Sequence, residues 1–288
     1  GDLPAALVAR LDPRPLICAL DGFAPTMAAD VTFRLEHLGT FLADLNLRGV
    51  TQICMAGAVR RPDIDPSQID AATLPLIPKV QAAMAQGDDG ALRVVIGVLE
   101  DAGFKIVAAH EIAGDLLPHS GVLTKVGPSD WHKRDSEAGE LCIAQMGAAD
   151  IGQACIVRVG EVAAQEDAEG TDAMLAGFCA PYRDRTSAMD PLGAVIEAAY
   201  DVADWMAGKE EKVFTADDGI LFKAPKPGQD HRADLPVIGV KTAMQAAEAG
   251  LAGIVIEAGG VIVLDLPGVV STLDAQGMFL WVRPQGGA

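Results

Sequence analysis

The N-terminal half of the chain alternates apolar runs with stretches of helical periodicity. Residues 33–49 carry leucine and phenylalanine at helical spacing and end at Gly49, which predicts a helix. The run 50–59, "VTQICMAGAV", is apolar and β-branched and predicts a buried strand. A second helix over 91–103 and a second strand over 104–112 follow in the same order. This alternation predicts a parallel sheet covered by helices, which is a Rossmann-like α/β arrangement.

The pattern changes in the second half of the chain. The polar segment 127–140, "GPSDWHKRDSEAGE", predicts a domain boundary. Beyond it, residues 154–167 and residues 253–265 each contain two apolar runs joined at glycine, which predicts β-hairpins. Helices are predicted near 239–249 and 267–276 among these strands.

These patterns predict two domains of different class. An N-terminal Rossmann-like α/β domain is expected over residues 1–130, and a C-terminal α+β domain that carries the catalytic loop is expected over residues 131–288. Because the chain opens on "GDLP" without a preceding strand, we expect the first strand of the N-terminal sheet to be missing. Residues 181–217 predict one helix near 192–207 and indicate no function.

Charge and cysteine content narrow the possible functions. The 288 residues include 22 Lys+Arg against 40 Asp+Glu, a formal charge of −18. This balance argues against nucleic-acid binding and against a polybasic membrane anchor. The five cysteines are scattered without a C-x-x-C pair, so we expect reduced thiols and a cytoplasmic setting. No signal peptide and no apolar run of spanning length is apparent.

The scarce positive charge is concentrated in "KAPKPGQDHRADLPVIGVKT", residues 223–242. Its three prolines predict a stiff, exposed loop, and lysines held on such a loop suit a polyanion. A merely solvated surface loop is the alternative. Asp234 lies among these cations and is expected to stay ionised at neutral pH, which suits a metal ligand or a water-orienting group better than a proton donor.

A second candidate lies in "AEGTDAML", residues 168–175. Thr171 is expected to act as the N-cap of a helix, and this could be its whole role. Alternatively, the N–H groups and the Thr171 hydroxyl face a phosphate, with Glu169 or Asp172 near a metal ion.

Several motifs in order and spacing carry a family resemblance. They are "MAGAVRRP", "GDDGALR", "GFKIVAAHEI", "TKVGP", "DIGQACIV", "EGTDAML", "KAPKPGQDHRADLPVIG" and "EAGLAGIVIEAGG". Together they resemble the LpxI-type UDP-2,3-diacylglucosamine pyrophosphatases of bacterial lipid A synthesis, from Gly1 to about Val282. The resemblance implies Mg²⁺-dependent hydrolysis of UDP-2,3-diacylglucosamine to UMP and 2,3-diacylglucosamine 1-phosphate (lipid X), with water attacking the β-phosphorus. It also implies two α/β-containing domains that hold the lipid product between them.

The resemblance assigns roles residue by residue. The essential aspartate of the family's D-L-P-x-I-G motif falls on Asp234, which is expected to be catalytic and to share Mg²⁺ with Glu169 and Asp172. The residues expected to bind substrate are Gly57, Lys125, Gln153, Thr171, Lys223, Lys226, Gln229 and Arg232.

The resemblance also implies a homodimer, a cytoplasmic location and transient contact with the inner-membrane surface. The chain departs from the family pattern at its start, where only residues 1–4 remain of an initial strand and Gly-rich turn, and in a long 181–217 region. Two alternatives stay open. One is a related pyrophosphatase with another nucleotide-linked substrate, and the other is a non-catalytic protein that binds lipid X or a nucleotide sugar.

Overall fold

The computed structural model describes residues 3–23, 25–57, 64–84, 88–178 and 219–285. Within them the chain forms two compact units. Unit 1 comprises Gly1–Pro118, Pro225–Ile238 and Gly259–Leu266, and unit 2 comprises His119–Ala224, Gly239–Ala258 and Pro267–Ala288. The helix predicted near 192–207 lies outside the described residues.

The described helices and strands are numbered in chain order. The helices are α1 (Leu3–Val8), α2 (Leu38–Leu47), α3 (Ile77–Met84), α4 (Asp88–Asp101), α5 (Ala109–Ile112), α6 (Asp130–Ala148), α7 (residues 171–178), α8 (Val240–Glu248) and α9 (Leu266–Ala275). The strands are β1 (Cys18–Leu20), β2 (Val31–Phe33), β3 (Gln52–Ile53), β4 (Lys105–Ile106), β5 (Gly121–Val122), β6 (Ala154–Arg158), β7 (Glu161–Gln165), β8 (Gly219–Lys223), β9 (Val237–Ile238), β10 (Gly253–Glu257), β11 (Ile262–Val263) and β12 (Phe279–Arg283).

Unit 1 is built from short parallel strand pairs and two apolar clusters. The pairs are β1 with β2, β3 with β4, and β9 with β11. One cluster joins α2, α4 and β4 through Leu42, Ile96 and Ile106. The other joins α1, α5 and β11 through Leu7, Ala109 and Ile262. The order of helices and strands and the parallel pairing of β3 with β4 agree with the prediction, but residues 109–112, predicted to belong to the second strand, form helix α5. One continuous Rossmann-like sheet stays a prediction.

Unit 2 contains a six-stranded mixed sheet in the order β5-β12-β10-β8-β6-β7. Strands β8, β10 and β12 are parallel, while β5, β6 and β7 each run antiparallel to the neighbour that they pair with. Helix α6 packs Cys142 and Met146 against Phe222 of β8 in the core. The β6–β7 pair confirms the hairpin predicted over 154–167.

The hairpin predicted over residues 253–265 is wrong. Strand β10 pairs in parallel with β8 and β12, whereas β11 pairs in parallel with β9 in unit 1. Both strands are almost completely buried. Continuous apolar runs of this kind are typical of parallel strands covered on both faces, and they lack the alternation that marks a half-exposed hairpin.

The structure divides the chain differently from the boundary predicted at 130/131. The chain first passes from unit 1 to unit 2 between Pro118 and His119, and the loop Pro225–Ile238 belongs to unit 1. The polar segment 127–140 starts α6, which Ser129 caps by accepting a hydrogen bond from the His132 N–H at 3.4 Å.

Two further observations concern expectations from the sequence. Cys18, Cys54, Cys142 and Cys155 are free thiols, as expected. In the part of the chain that the structure describes, no helix is both long and apolar enough to span a lipid bilayer.

Candidate functional site

The loop Pro225–Ile238 of unit 1 holds Asp234 between two apolar anchors. Ala233 packs against the cluster of α2, α4 and β4, whereas Leu235 packs against the cluster of α1, α5 and β11. The Asp234 N–H also donates to the Asp230 carbonyl at 3.2 Å. Backbone and neighbouring side chains therefore fix the position of Asp234 on the loop.

Gln229 sets the direction of the Asp234 carboxylate. Gln229 is buried, and its Oε1 accepts a hydrogen bond from the backbone N–H of Lys226 at 2.9 Å. Because only the amide oxygen can accept from an N–H, the Nε2 group must face the other way. There it donates to Oδ2 of Asp234. Lys226 itself is buried at 6% exposure.

Arg232 is paired with two carboxylates of unit 1. Its guanidinium donates to both oxygens of Asp230 at 3.0 and 2.8 Å, and its Nη1 donates to Oε1 of Glu100 on α4 at 2.6 Å. These bonds hold the pKa of Asp230 below its usual value. Arg93, two turns earlier on α4, donates to the carbonyl of Gly228 at 2.9 Å. Two hydrogen bonds therefore join the loop to helix α4. In these contacts Arg232 has a structural role, because it links the loop to the helix.

In unit 2, three predicted substrate-binding residues converge on one acid. Thr171 Oγ1 donates to Oε1 of Glu166 at 2.7 Å, and Lys223 Nζ donates to Thr171 Oγ1 at 2.7 Å. The backbone N–H of Gln153 donates to the other Glu166 oxygen at 2.6 Å. Glu166, Thr171 and Lys223 are all buried. Sequence reasoning missed Glu166. The feature of the sequence that could have indicated it is its position, directly after a strand and five residues before Thr171.

Gly152 makes this convergence possible. Its φ of +50° lies in the left-handed region. A Cβ at this position would lie 2.5 Å from the carbonyl oxygen of Glu166, which is closer than side chains tolerate. The glycine of the "DIGQ" motif therefore lets the turn that carries Gln153 approach the backbone of Glu166.

The expectation that Thr171 is an N-cap is wrong. Helix α7 begins at Thr171, and the Gly170 carbonyl accepts the first helical bond from the Met174 N–H at 3.1 Å, so Gly170 is the capping residue. Because Gly170 has a φ of +90°, the chain enters the helix with the Thr171 hydroxyl free to turn toward Glu166.

The other residues predicted to bind metal or substrate have no described contact with Asp234 or Glu166. Asp172 forms an exposed ion pair with Lys241 at 2.6 Å, and Glu169 is exposed. The Lys125 N–H donates to Asp274 at 2.8 Å, and the Lys125 ammonium is exposed. Gly57 is exposed with a φ of +107° and precedes residues outside the described part of the chain.

No protein-only metal centre is apparent within the described ranges, because no three His, Cys, Asp or Glu side chains come together to hold an ion. Magnesium is commonly held by one or two carboxylates together with substrate phosphates. The carboxylate of Asp234 suits that kind of site.

Comparison with known proteins gives the family. A model described as the LpxI N-terminal domain matches residues 1–116, and one described as the LpxI C-terminal domain matches residues 119–281. The chain belongs to the LpxI family. A curated relative from Caulobacter vibrioides, named UDP-2,3-diacylglucosamine pyrophosphatase LpxI, is 38% identical over 252 residues, which cover 87% of this chain and 81% of the relative.

The two LpxI models meet where the chain first changes unit. The first ends at residue 116 and the second begins at residue 119, and the passage from unit 1 to unit 2 lies between Pro118 and His119. The loop with Asp234 falls within the match of the LpxI C-terminal model, although it packs as part of unit 1.

Proposed function

We propose that this chain hydrolyses UDP-2,3-diacylglucosamine to UMP and 2,3-diacylglucosamine 1-phosphate (lipid X), as a Mg²⁺-dependent pyrophosphatase of lipid A synthesis. The observation that carries the proposal is the likeness, over most of the chain, to a relative named as a pyrophosphatase for this substrate. Two groups of polar residues support it, the loop that carries Asp234 and the residues around Glu166. Each contains a buried lysine and a carboxylate held by a hydrogen bond.

Two buried lysines supply the charge that a diphosphate needs. Lys223 ends β8 in unit 2, and Lys226 lies at the start of the unit 1 loop. Three residues of chain span at most about 11 Å between Cα atoms, so connectivity alone keeps the two lysines near each other. Each is less than 10% exposed, and a buried cation attracts a phosphate more strongly than one surrounded by water. We propose that both act on one diphosphate, in the cleft between the domains that the family resemblance implies.

Asp234 is proposed to orient the attacking water. Gln229 holds Oδ2 of the carboxylate and thereby fixes the direction of Oδ1. The water oxygen forms a bond to the β-phosphorus, the bond from that phosphorus to the bridging oxygen breaks, and UMP leaves with the bridging oxygen. The water releases a proton to solvent in this step, and the aligned carboxylate of Asp234 favours the orientation in which a lone pair of the water oxygen faces phosphorus.

Magnesium is proposed to be held by Asp234 together with diphosphate oxygens, with Glu169 and Asp172 as further expected ligands. Of these three acids, Asp234 has the supporting contacts, whereas Asp172 is engaged by Lys241. When bound, the ion would neutralise charge on the diphosphate.

The family resemblance further supports a homodimer, a cytoplasmic location and brief contact with the inner-membrane surface, where a diacylated substrate resides. The 50% hydrophobic composition suits a protein that must accommodate two acyl chains. Lipid X and UDP-2,3-diacylglucosamine are the proposed small-molecule partners, and the charge of −18 argues against nucleic acid.

The test is hydrolysis of purified UDP-2,3-diacylglucosamine in H₂¹⁸O with Mg²⁺ and with a chelator. We expect UMP and lipid X, with the label in lipid X and with turnover lost on chelation. Label in UMP would contradict attack on the β-phosphorus. Turnover of other nucleotide-linked substrates alone, or binding of lipid X without turnover, would favour one of the two alternatives over this function.

A further inference from the structure

Glu166 is a buried acid to which no motif assigned a function. It follows β7 in unit 2, is 8% exposed, and bonds to Thr171 and to the backbone of Gln153. We propose that Glu166 is a positioning residue that holds the Thr171 hydroxyl and the Lys223 ammonium in the arrangement that receives a substrate phosphate. This inference rests on the proposed function and adds a residue to it.

The hydrogen bonds fix the polarity of the Thr171 hydroxyl. A hydroxyl has one hydrogen to donate, and Thr171 donates it to Oε1 of Glu166. The Thr171 oxygen therefore presents a lone pair to Lys223, whose ammonium donates to it at 2.7 Å. Without an acceptor at Glu166 the hydroxyl could rotate, and the direction of the Lys223 ammonium would no longer be fixed from this side.

Glu166 also joins three segments of unit 2. Its second oxygen accepts from the Gln153 N–H, so the carboxylate links the turn at Gly152, the start of α7 and the end of β8. Both oxygens are used as acceptors, and both bonds are short. A carboxylate is the side chain that offers two acceptor oxygens in this geometry.

Charge is the third part of the argument. A buried ammonium is costly unless a negative group lies near, and Glu166 supplies that group one hydroxyl away from Lys223. Replacing Glu166 by glutamine keeps the size but removes the charge. It also removes one acceptor, because the amide nitrogen would face either the Gln153 N–H or the Thr171 hydroxyl.

Asp135 provides a matched control in the same unit. It is 1% exposed and accepts hydrogen bonds from the backbone N–H groups of Val159, at 3.2 Å, and of Gly160. These bonds lock the turn between β6 and β7. Asp135→Asn therefore removes a buried charge that holds backbone, as Glu166→Gln does, without touching Thr171 or Lys223.

The experiment compares Glu166→Gln with Asp135→Asn in kinetics, thermal unfolding and ¹⁵N NMR of the lysine side chains. We expect Glu166→Gln to lower kcat/KM by about tenfold to a hundredfold, the range for loss of one hydrogen bond to a charged group. We expect Asp135→Asn to lower the unfolding midpoint with little change in kcat/KM. The Nζ signal of Lys223, assigned with Lys223→Arg, should shift in Glu166→Gln and stay in place in Asp135→Asn.

Glu166→Asp and Thr171→Val keep the inference testable if Glu166→Gln does not fold. Thr171→Val should shift the Lys223 signal although Glu166 is intact, and Glu166→Asp should retain more activity than any uncharged replacement. Equal activity losses in Glu166→Gln and Asp135→Asn, in proportion to the unfolded fraction, would overturn the positioning role. If the wild type does not hydrolyse the substrate, the proposed function fails, while an unchanged Lys223 signal in Glu166→Gln would separately refute the network.

Discussion

The loop Pro225–Ile238 of unit 1 and the Glu166 cluster of unit 2 both combine a cation with acidic side chains, but they differ in exposure to solvent. The Glu166 cluster consists of Gln153, Glu166, Thr171 and Lys223. In the loop, Arg232 is 40% exposed and is paired with Asp230 and with the 45% exposed Glu100. In the cluster, Lys223 is 7% exposed and is linked to Glu166 through the hydroxyl of Thr171. Water screens the first set of charges and is excluded from the second. The Arg232 cation therefore links the loop to its neighbours, whereas the buried Lys223 cation exerts a strong electrostatic attraction on a nearby anion.

The part of the loop around Asp234 is buried, as the Glu166 cluster is. Gln229 and Lys226 are buried beside Asp234, whereas Arg232 lies toward solvent on the same loop. The loop thus has an inner part that carries the proposed chemistry and an outer part that ties it to α4.

The largest effect is expected for Asp234→Asn. The new amide oxygen can still accept from Gln229, so the shape of the loop is kept while the negative charge is lost. We expect kcat to fall by about a hundredfold or more, the usual cost of removing one charge-stabilising or water-positioning group, with substrate binding largely retained. Steady-state hydrolysis and a binding measurement on the variant test this.

Asp230→Asn on the same loop is the control for Asp234→Asn, because Asp230 bonds to Arg232 on the outer part. It should lose far less activity. Near-normal turnover by Asp234→Asn would refute the assignment of Asp234.

The next effect concerns the coupling between Lys223 and Glu166. Lys223→Met leaves Glu166 buried without the charge that balances it, and Glu166→Gln does the reverse, so each single change should destabilise unit 2. The double variant removes both charges and should cost less than the sum. We expect a coupling free energy of about 0.5–3 kcal/mol from urea unfolding.

A second double-mutant cycle, which combines Lys223→Met with Asp135→Asn, gives the reference for the coupling measured with Lys223→Met and Glu166→Gln. Asp135 holds the β6–β7 turn, so these two changes should add within about 0.5 kcal/mol. Additivity in both cycles would mean that Glu166 and Lys223 do not act as one network.

Much of this arrangement could be predicted from the sequence. The helices over 33–49 and 91–103 and the hairpin over 154–167 follow from periodicity, because each buries one regular face. The family resemblance assigns Gln153, Thr171 and Lys223 to substrate binding, and the structure joins them in one hydrogen-bonded network around Glu166.

The rest could not be predicted because it depends on partners distant in the chain. Helix α6 buries the polar residues Asp135 and Ser136 in its second turn, so the sequence of its first half shows no apolar stripe. Glu166 looks like any acid after a strand until Gly152 and Thr171 lie against it. Arg232 looks like a phosphate ligand until Glu100, from a helix more than a hundred residues earlier, accepts its hydrogen bond.

A smaller effect should follow from Arg232→Gln and Glu100→Gln. If Arg232 links the loop to α4, each single change should loosen the loop and lower kcat/KM by a few-fold, because an exposed ion pair contributes little. The double variant should then be no worse than Arg232→Gln alone, because both changes break the same pair. If Arg232 instead binds phosphate, Arg232→Gln should cost about tenfold or more while Glu100→Gln costs almost nothing. Kinetics of the three variants separate these outcomes.

The smallest expected effect is the pH dependence of stability that Asp230 supplies. The hydrogen bonds from Arg232 lower the pKa of the Asp230 carboxyl in the folded protein. An unfolded aspartate titrates near pH about 3.9, so the stabilisation is fully present above that pH and is lost as pH falls through the lower folded value. The wild type should therefore unfold at a higher temperature than Asp230→Asn at pH 6, and the difference should shrink below pH about 4. Because Arg232 is partly exposed, the difference at pH 6 should also shrink in high salt. Thermal midpoints from pH 2.5 to 6, at two salt concentrations, measure both. A difference that stays constant across this range would mean that the ionisation of Asp230 contributes nothing to stability, and that the outer part of the loop does not depend on charge.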